Sequence, residues 1–95
     1  MRRKRPADDT RRRAIKARLQ GMPSREIARR LERSPDTIKG YLGGCGATIK
    51  GIYYLNALVA EALFSETELM ELGAVWNGRH WVGPGRNTRG DASEI

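Results

Sequence analysis

Cysteine and histidine are nearly missing from this chain: Cys45 and His80 are the only residues of their kinds among 95. A lone cysteine forms no intrachain disulfide, so an intracellular, reducing location is expected. One His and one Cys far apart give neither zinc-ligand spacing nor a nucleophile with its base, and no paired carboxylates lie beside an apolar pocket signal. An enzyme is not expected, nor any cofactor or metal. Long apolar runs are missing too. The richest stretch, Ile52 to Phe64, is broken by Asn56 and Glu61 and is too short for a bilayer span. MRRKR at the start lacks the apolar segment that a secretory signal needs. A cytoplasmic protein without a membrane partner is therefore expected. Gly43, Gly44 and Gly46 have no Lys-Ser/Thr in P-loop register and no strand before them, so a phosphate cradle is not expected there.

Acid is scarce in the first half. Residues 1–50 carry 15 Lys/Arg against 5 Asp/Glu, a net of +10, while residues 51–95 carry 3 against 6, a net of −3. A basic head for a polyanion, followed by an association module, fits this division. The length suits one small domain with tails and leaves little core for enclosing a substrate.

Two helix starts lie close together between Ser24 and Leu42. Ser24 follows Pro23, and Ser34 precedes Pro35, whose missing N–H costs nothing at the first helical position. Ile27, Ala28 and Leu31 share one face after the first start; Ile38, Tyr41 and Leu42 share one after the second. Leu31 to Ser34 is too short for a strand or an extended loop, so the helices turn sharply, as in a helix-turn-helix. Upstream, Asp8, Asp9 and Thr10 start a helix that carries Ala14, Ile15, Arg18 and Leu19 at helical spacing and ends at Gly21. A head over residues 10–44 is expected, after a disordered basic arm over 1–9.

REIARRL followed by RSPDTIKGYL resembles the helix-turn-helix of insertion-sequence transposases and resolvases, and is similar to the SP.TVK..L endings of LuxR-type activators. The likeness covers roughly residues 10–43 and departs at Glu32, where the family usually has glycine. Glutamate takes a positive φ only at a cost, so a strained or reshaped turn is expected. The resemblance implies that helix 35–43 reads the major groove through Asp36, Thr37, Lys39 and Gly40. Asp36 would accept from cytosine N4, Lys39 donate to guanine, the Thr37 methyl touch thymine, and Gly40 permit close approach. Asp36 is equally well explained as a helix N-terminal charge. The second helix would cross the DNA backbone, with Ser24 and Arg25 as phosphate ligands and Arg33 and Ser34 near the turn. Glu26 with Arg30, and Glu32 with Arg29 and Arg33, read as surface charge pairs. Arg11, Arg12, Arg13 and Lys16, with no acid among them, are expected to clamp phosphate. For Arg2, Arg3, Lys4 and Arg5 two readings stand level: a minor-groove arm, or a solubilising tail with non-specific phosphate attraction.

From Ala47 to Phe64 the pattern predicts a longer helix, apolar on more than one face. Dimerisation is expected through Ile52, Tyr53, Leu55, Leu58, Val59 and Leu63 with Trp76 and Trp81; the competing reading folds residues 66–82 back over that surface. Ser65 and Glu68 form a capping box that opens a short helix ending at Gly73. Asn77-Gly78 predicts a type I′ hairpin with Trp76 opposite Arg79 and Ala74 opposite Trp81. A lid or dimer contact suits this acidic half better than a DNA-contacting wing. Residues 45–82 are thus expected as a packing module and 83–95 as a disordered tail. The whole reads as mainly α: a three-helix head, a longer helix, a short helix and a small β-hairpin. A small dimeric regulator that binds double-stranded DNA, of the phage or mobile-element type, is the leading expectation. The alternative is a DNA-recognising assembly adaptor, small-terminase-like or accessory to recombination, that recruits larger machinery.

Overall fold

The chain enters its first helix on a proline. α1 spans Pro6–Leu19, with the proline at a position where an N–H would be orphaned. The computed structural model describes residues 6–86, so the arm residues Arg2, Arg3, Lys4 and Arg5 lie outside it, while residues 6–9 are helical rather than part of an arm. Gly21, at φ 93°, breaks the helix. α2 (Ser24–Leu31) and α3 (Pro35–Cys45) follow. Ser34 caps α3 as expected, its hydroxyl accepting from the Thr37 N–H at 3.1 Å. Ser24 does not cap α2. It is the first helical residue, 1% exposed, and Pro23 stands at the cap. Glu32 ends α2 in the left-handed region, at φ 56° and ψ 48°, and its N–H reaches the carbonyls of Ala28 and Arg29. The turn thus takes the shape glycine favours, on a glutamate.

The long helix expected from Ala47 does not form. β1 (Gly46–Ile49) and β2 (Ile52–Asn56) make an antiparallel hairpin in its place, followed by α4 (Ala57–Leu63). Lys50 and Gly51 turn it at φ 53° and 83°, the two positive values of a type I′ turn. The flanking Ala-Thr-Ile and Ile-Tyr-Tyr suit strands, and burial in β2 alternates, with Tyr53 and Leu55 inward. Apolar residues on "more than one face" of a helix were the two faces of a ribbon. Asn56 then restarts helix, its Oδ1 accepting from the N–H groups of Leu58 and Val59 at 2.8 and 3.3 Å.

α5 (Glu66–Glu71) begins on the expected cap: Ser65 Oγ accepts the Glu68 N–H at 3.1 Å. β3 (Val75–Trp76) and β4 (His80–Arg86) close the sheet in the order β1-β2-β4-β3. Their hairpin is two residues out of the expected register. Trp76 pairs with Trp81 and Val75 with Val82. Gly78 is the positive-φ residue, and Asn77 instead folds its side chain over the turn to accept the N–H groups of Arg79 and His80. Asn77 closes the loop where it was expected at its tip. Among the described residues the fold is therefore five helices and a four-stranded antiparallel sheet, an α+β arrangement and not a mainly α one.

One core joins the halves. Ala14, Ile15 and Leu19 of α1, Ile27 and Ala28 of α2 and Ile38 and Leu42 of α3 meet Tyr53 and Leu55 of the sheet and Phe64 and Leu69 beyond it. Burying each large aliphatic here is worth about 1.5–3 kcal/mol. Two polar ties cross the same seam. The Arg18 guanidinium, 1% exposed, donates to Met22 O and to Thr48 Oγ1, and Tyr53 donates its hydroxyl to Leu42 O at 2.7 Å, where burial raises the phenol's pKa. β4 presses its glycines against the end of α1: a Cβ at Gly85 would lie 2.0 Å from Gln20 O, and one at Gly83 2.7 Å from Leu19 O. Residues 83–86, expected in a tail, are strand for this reason. Pro84 sits where four residues of β4 span two of β2, a bulge that asks for no N–H.

Candidate nucleic-acid interface

α3 turns Ile38, Leu42 and Cys45 into the core, leaving Asp36, Lys39, Gly40, Gly43 and Gly44 exposed on the opposite side. The inward set follows from apolar residues at i, i+4 and i+7. Burial raises the pKa of the Cys45 thiol, which suits a packed side chain. A Cβ at Gly40, Gly43 or Gly44 would meet nothing within 4 Å, so no contact among the described residues accounts for glycine there. Thr37 is half-buried, and its hydroxyl shares a hydrogen bond with Ser34 Oγ at 2.8 Å. The cap engages both hydroxyls.

The cations expected on phosphate divide into two groups. Arg11 and Arg13 are exposed on α1, Arg11 with its guanidinium 5.6 Å from the Tyr41 ring and Arg13 paired with Asp9 at 3.3 Å. Arg25 is exposed on α2. Arg29 and Arg30 bracket Glu26 at 2.8 and 3.2 Å, and hydrogen bonds from Arg30 and then Arg29 hold its pKa down. Arg33, exposed at the turn, donates back to the carbonyls of Leu31 and Glu32.

Arg12 and Lys16 belong to the fold instead. The Arg12 guanidinium lies over the Phe64 ring, donates to the carbonyl of Leu63, and meets Glu68 Oε2 at 2.7 Å; Lys16 reaches the same oxygen at 3.4 Å. The four-cation clamp is in this respect corrected: half of it anchors α1 to α5. Ser24 is corrected as well, since a hydroxyl on a residue 1% exposed is not offered to a DNA backbone. Lys50 was passed over, yet it stands exposed at the tip of the β1–β2 turn. The Lys-Gly pair between β-branched residues was the available signal.

The expected dimer surface is likewise dispersed. Tyr53 and Leu55 are core residues at 1% and 0% exposure, packed with the helices of the first half. Ile52 lies on the outward face of the sheet with Ile49, Tyr54, Val75 and Val82. Leu58 is exposed on α4, with Val59 and Leu63 half-buried beside it in a cleft of about 450 Å³ that reaches Gly40 and Gly44. Trp76 and Trp81 occupy a third place, at the β3 edge, with ring centroids 5.6 Å apart. Among the described residues no helix is long and apolar enough to cross a membrane. The chain matches no family model, no curated protein and no solved structure.

Proposed function

We propose that this protein binds double-stranded DNA, laying the outer side of α3 in the major groove, and acts as a small dimeric regulator of the phage or mobile-element type. The observation that carries the reading is the division of α3: Ile38, Leu42 and Cys45 are spent on the core, and its outer side bears Lys39 and Asp36 beside glycines that no contact among the described residues demands. A bare helix surface can approach base edges closely, with Lys39 donating to guanine and Asp36 accepting from cytosine. Arg11, Arg13, Arg25, Arg29, Arg30 and Arg33, exposed on α1, α2 and the turn after it, would supply cations for phosphate. Lys50 would reach the backbone from the hairpin tip. Ile49, Ile52, Tyr54, Val75 and Val82 form the apolar sheet face on which two copies would meet.

Selection from a randomised duplex library at moderate ionic strength tests this, followed by light scattering on the selected complex. Enrichment of an inverted repeat with two copies bound supports the reading. No enrichment, with binding that vanishes as salt rises, would remove it.

A further inference from the structure

The hollow at the edge of the sheet is lined by none of the residues assigned to the proposed duplex surface. Leu55, Trp81 and Trp76 stand in register across β2, β4 and β3 on the core-facing side, and exposure climbs along that row from 0% at Leu55 to 46% at Trp76. The core gives out at β3, the edge strand, leaving two indoles tilted at 52° to one another. Together with buried Phe64 and Leu69 they line an open cleft of about 290 Å³, and Glu61 and Glu66 stand at its rim. Both carboxylates are exposed and lack an ion-pair partner among the described residues, whereas nearby Glu68 is taken by Arg12 and Lys16. Residues 51–78 hold four glutamates and no lysine or arginine, and the cation nearest the indoles in sequence, Arg79, is exposed in the β3–β4 turn.

Indole faces attract cations through the ring quadrupole, and carboxylates alongside add to the attraction. The same carboxylates repel phosphate. The geometry points to this cleft as a binding site for a guanidinium or ammonium group carried by a basic polypeptide segment of a partner protein. The source is a polypeptide because the cleft is an open trough beside an edge strand, so the residues flanking a bound arginine have a surface to lie along. A DNA-bound chain would by this means recruit a basic partner. The site itself does not depend on the duplex reading.

Trp76 and Trp81 are the only two tryptophans, so indole fluorescence reports on this cleft alone. The full chain, without DNA, is titrated with a short arginine-rich peptide, with the same peptide bearing glutamine for arginine, and with guanidinium and tetramethylammonium salts. A saturable change is expected with the arginine peptide, weakened about tenfold in Trp76→Ala as measured by calorimetry. The double variant Glu61→Gln, Glu66→Gln should lose affinity similarly and lose most of its salt dependence. All three positions are exposed, so circular dichroism and thermal midpoint should hold. An equal response to the glutamine peptide would overturn the proposal, as would an unaffected double-glutamine variant. Free guanidinium or tetramethylammonium binding as tightly as the peptide would overturn the polypeptide source. Because the titration contains no DNA, its failure and that of the duplex reading are separate results.

Discussion

The half of the chain that ends at Cys45 and the half that follows share one core, and they differ in how they use charge. In the first, 14 cations stand against 5 acids, yet Arg12, Lys16 and Arg18 are consumed by internal contacts, while Arg11, Arg13, Arg25 and Arg33 are exposed. In the second, acids prevail, and Glu68 is consumed while Glu61 and Glu66 face outward. Net charge therefore overstates the binding surface of both. What counts is the charge left after the fold has taken its share, and Arg12 with Glu68 is where the two halves cancel.

The seam between the halves can be broken outright. Gly85→Ala places a methyl on the backbone of Gln20 and should cost about 2 kcal/mol or more, measured as a fall in the denaturation midpoint, because neither strand nor helix end can move alone. Loss of under 0.5 kcal/mol would mean that β4 does not lie on α1. Arg12→Gln should cost about 1–2 kcal/mol through its hydrogen bonds to Glu68 and Leu63. Those bonds also set a pH signature. Chiefly by its hydrogen bond from Arg12, the Glu68 carboxyl is held down from 4.5 to about 2. A carboxyl harder to protonate in the folded chain stabilises it above pH 4.5 and loses that contribution as pH falls toward 2. Glu68→Gln should flatten the pH dependence of stability in that window, and an unchanged acid limb would show the pair to be open in solution. Smallest is Glu32→Gly, which relieves a left-handed glutamate and should stabilise by about 0.5–1 kcal/mol. A loss instead would mean that the turn has a different shape.

The first half was far more legible from sequence than the second, for a physical reason. Ser34-Pro35, Gly21 and the spacing of Ile27, Ala28, Ile38 and Leu42 are local signals, and each acts within one or two helical turns. From Ala47 to Phe64 the local signal was ambiguous: short apolar runs serve a strand or a buried helix equally well, and only Lys50-Gly51 and Asn56 argued against a continuous helix. The glycines at 83 and 85 looked like a disordered tail because the contact that needs them, the end of α1, lies more than sixty residues away. Among the cations, no local pattern separates Arg12 from Arg13. Their roles diverge only when Glu68 arrives from α5.

The claim that α3 reads DNA is tested most directly by the ratio of affinities for a selected duplex and a random one, measured for the wild type and Lys39→Ala at the same salt. Lys39→Ala should lower the ratio about tenfold, chiefly by weakening the selected duplex, while Arg30→Ala should weaken both duplexes alike. Equal losses on the two duplexes for Lys39→Ala would contradict the claim.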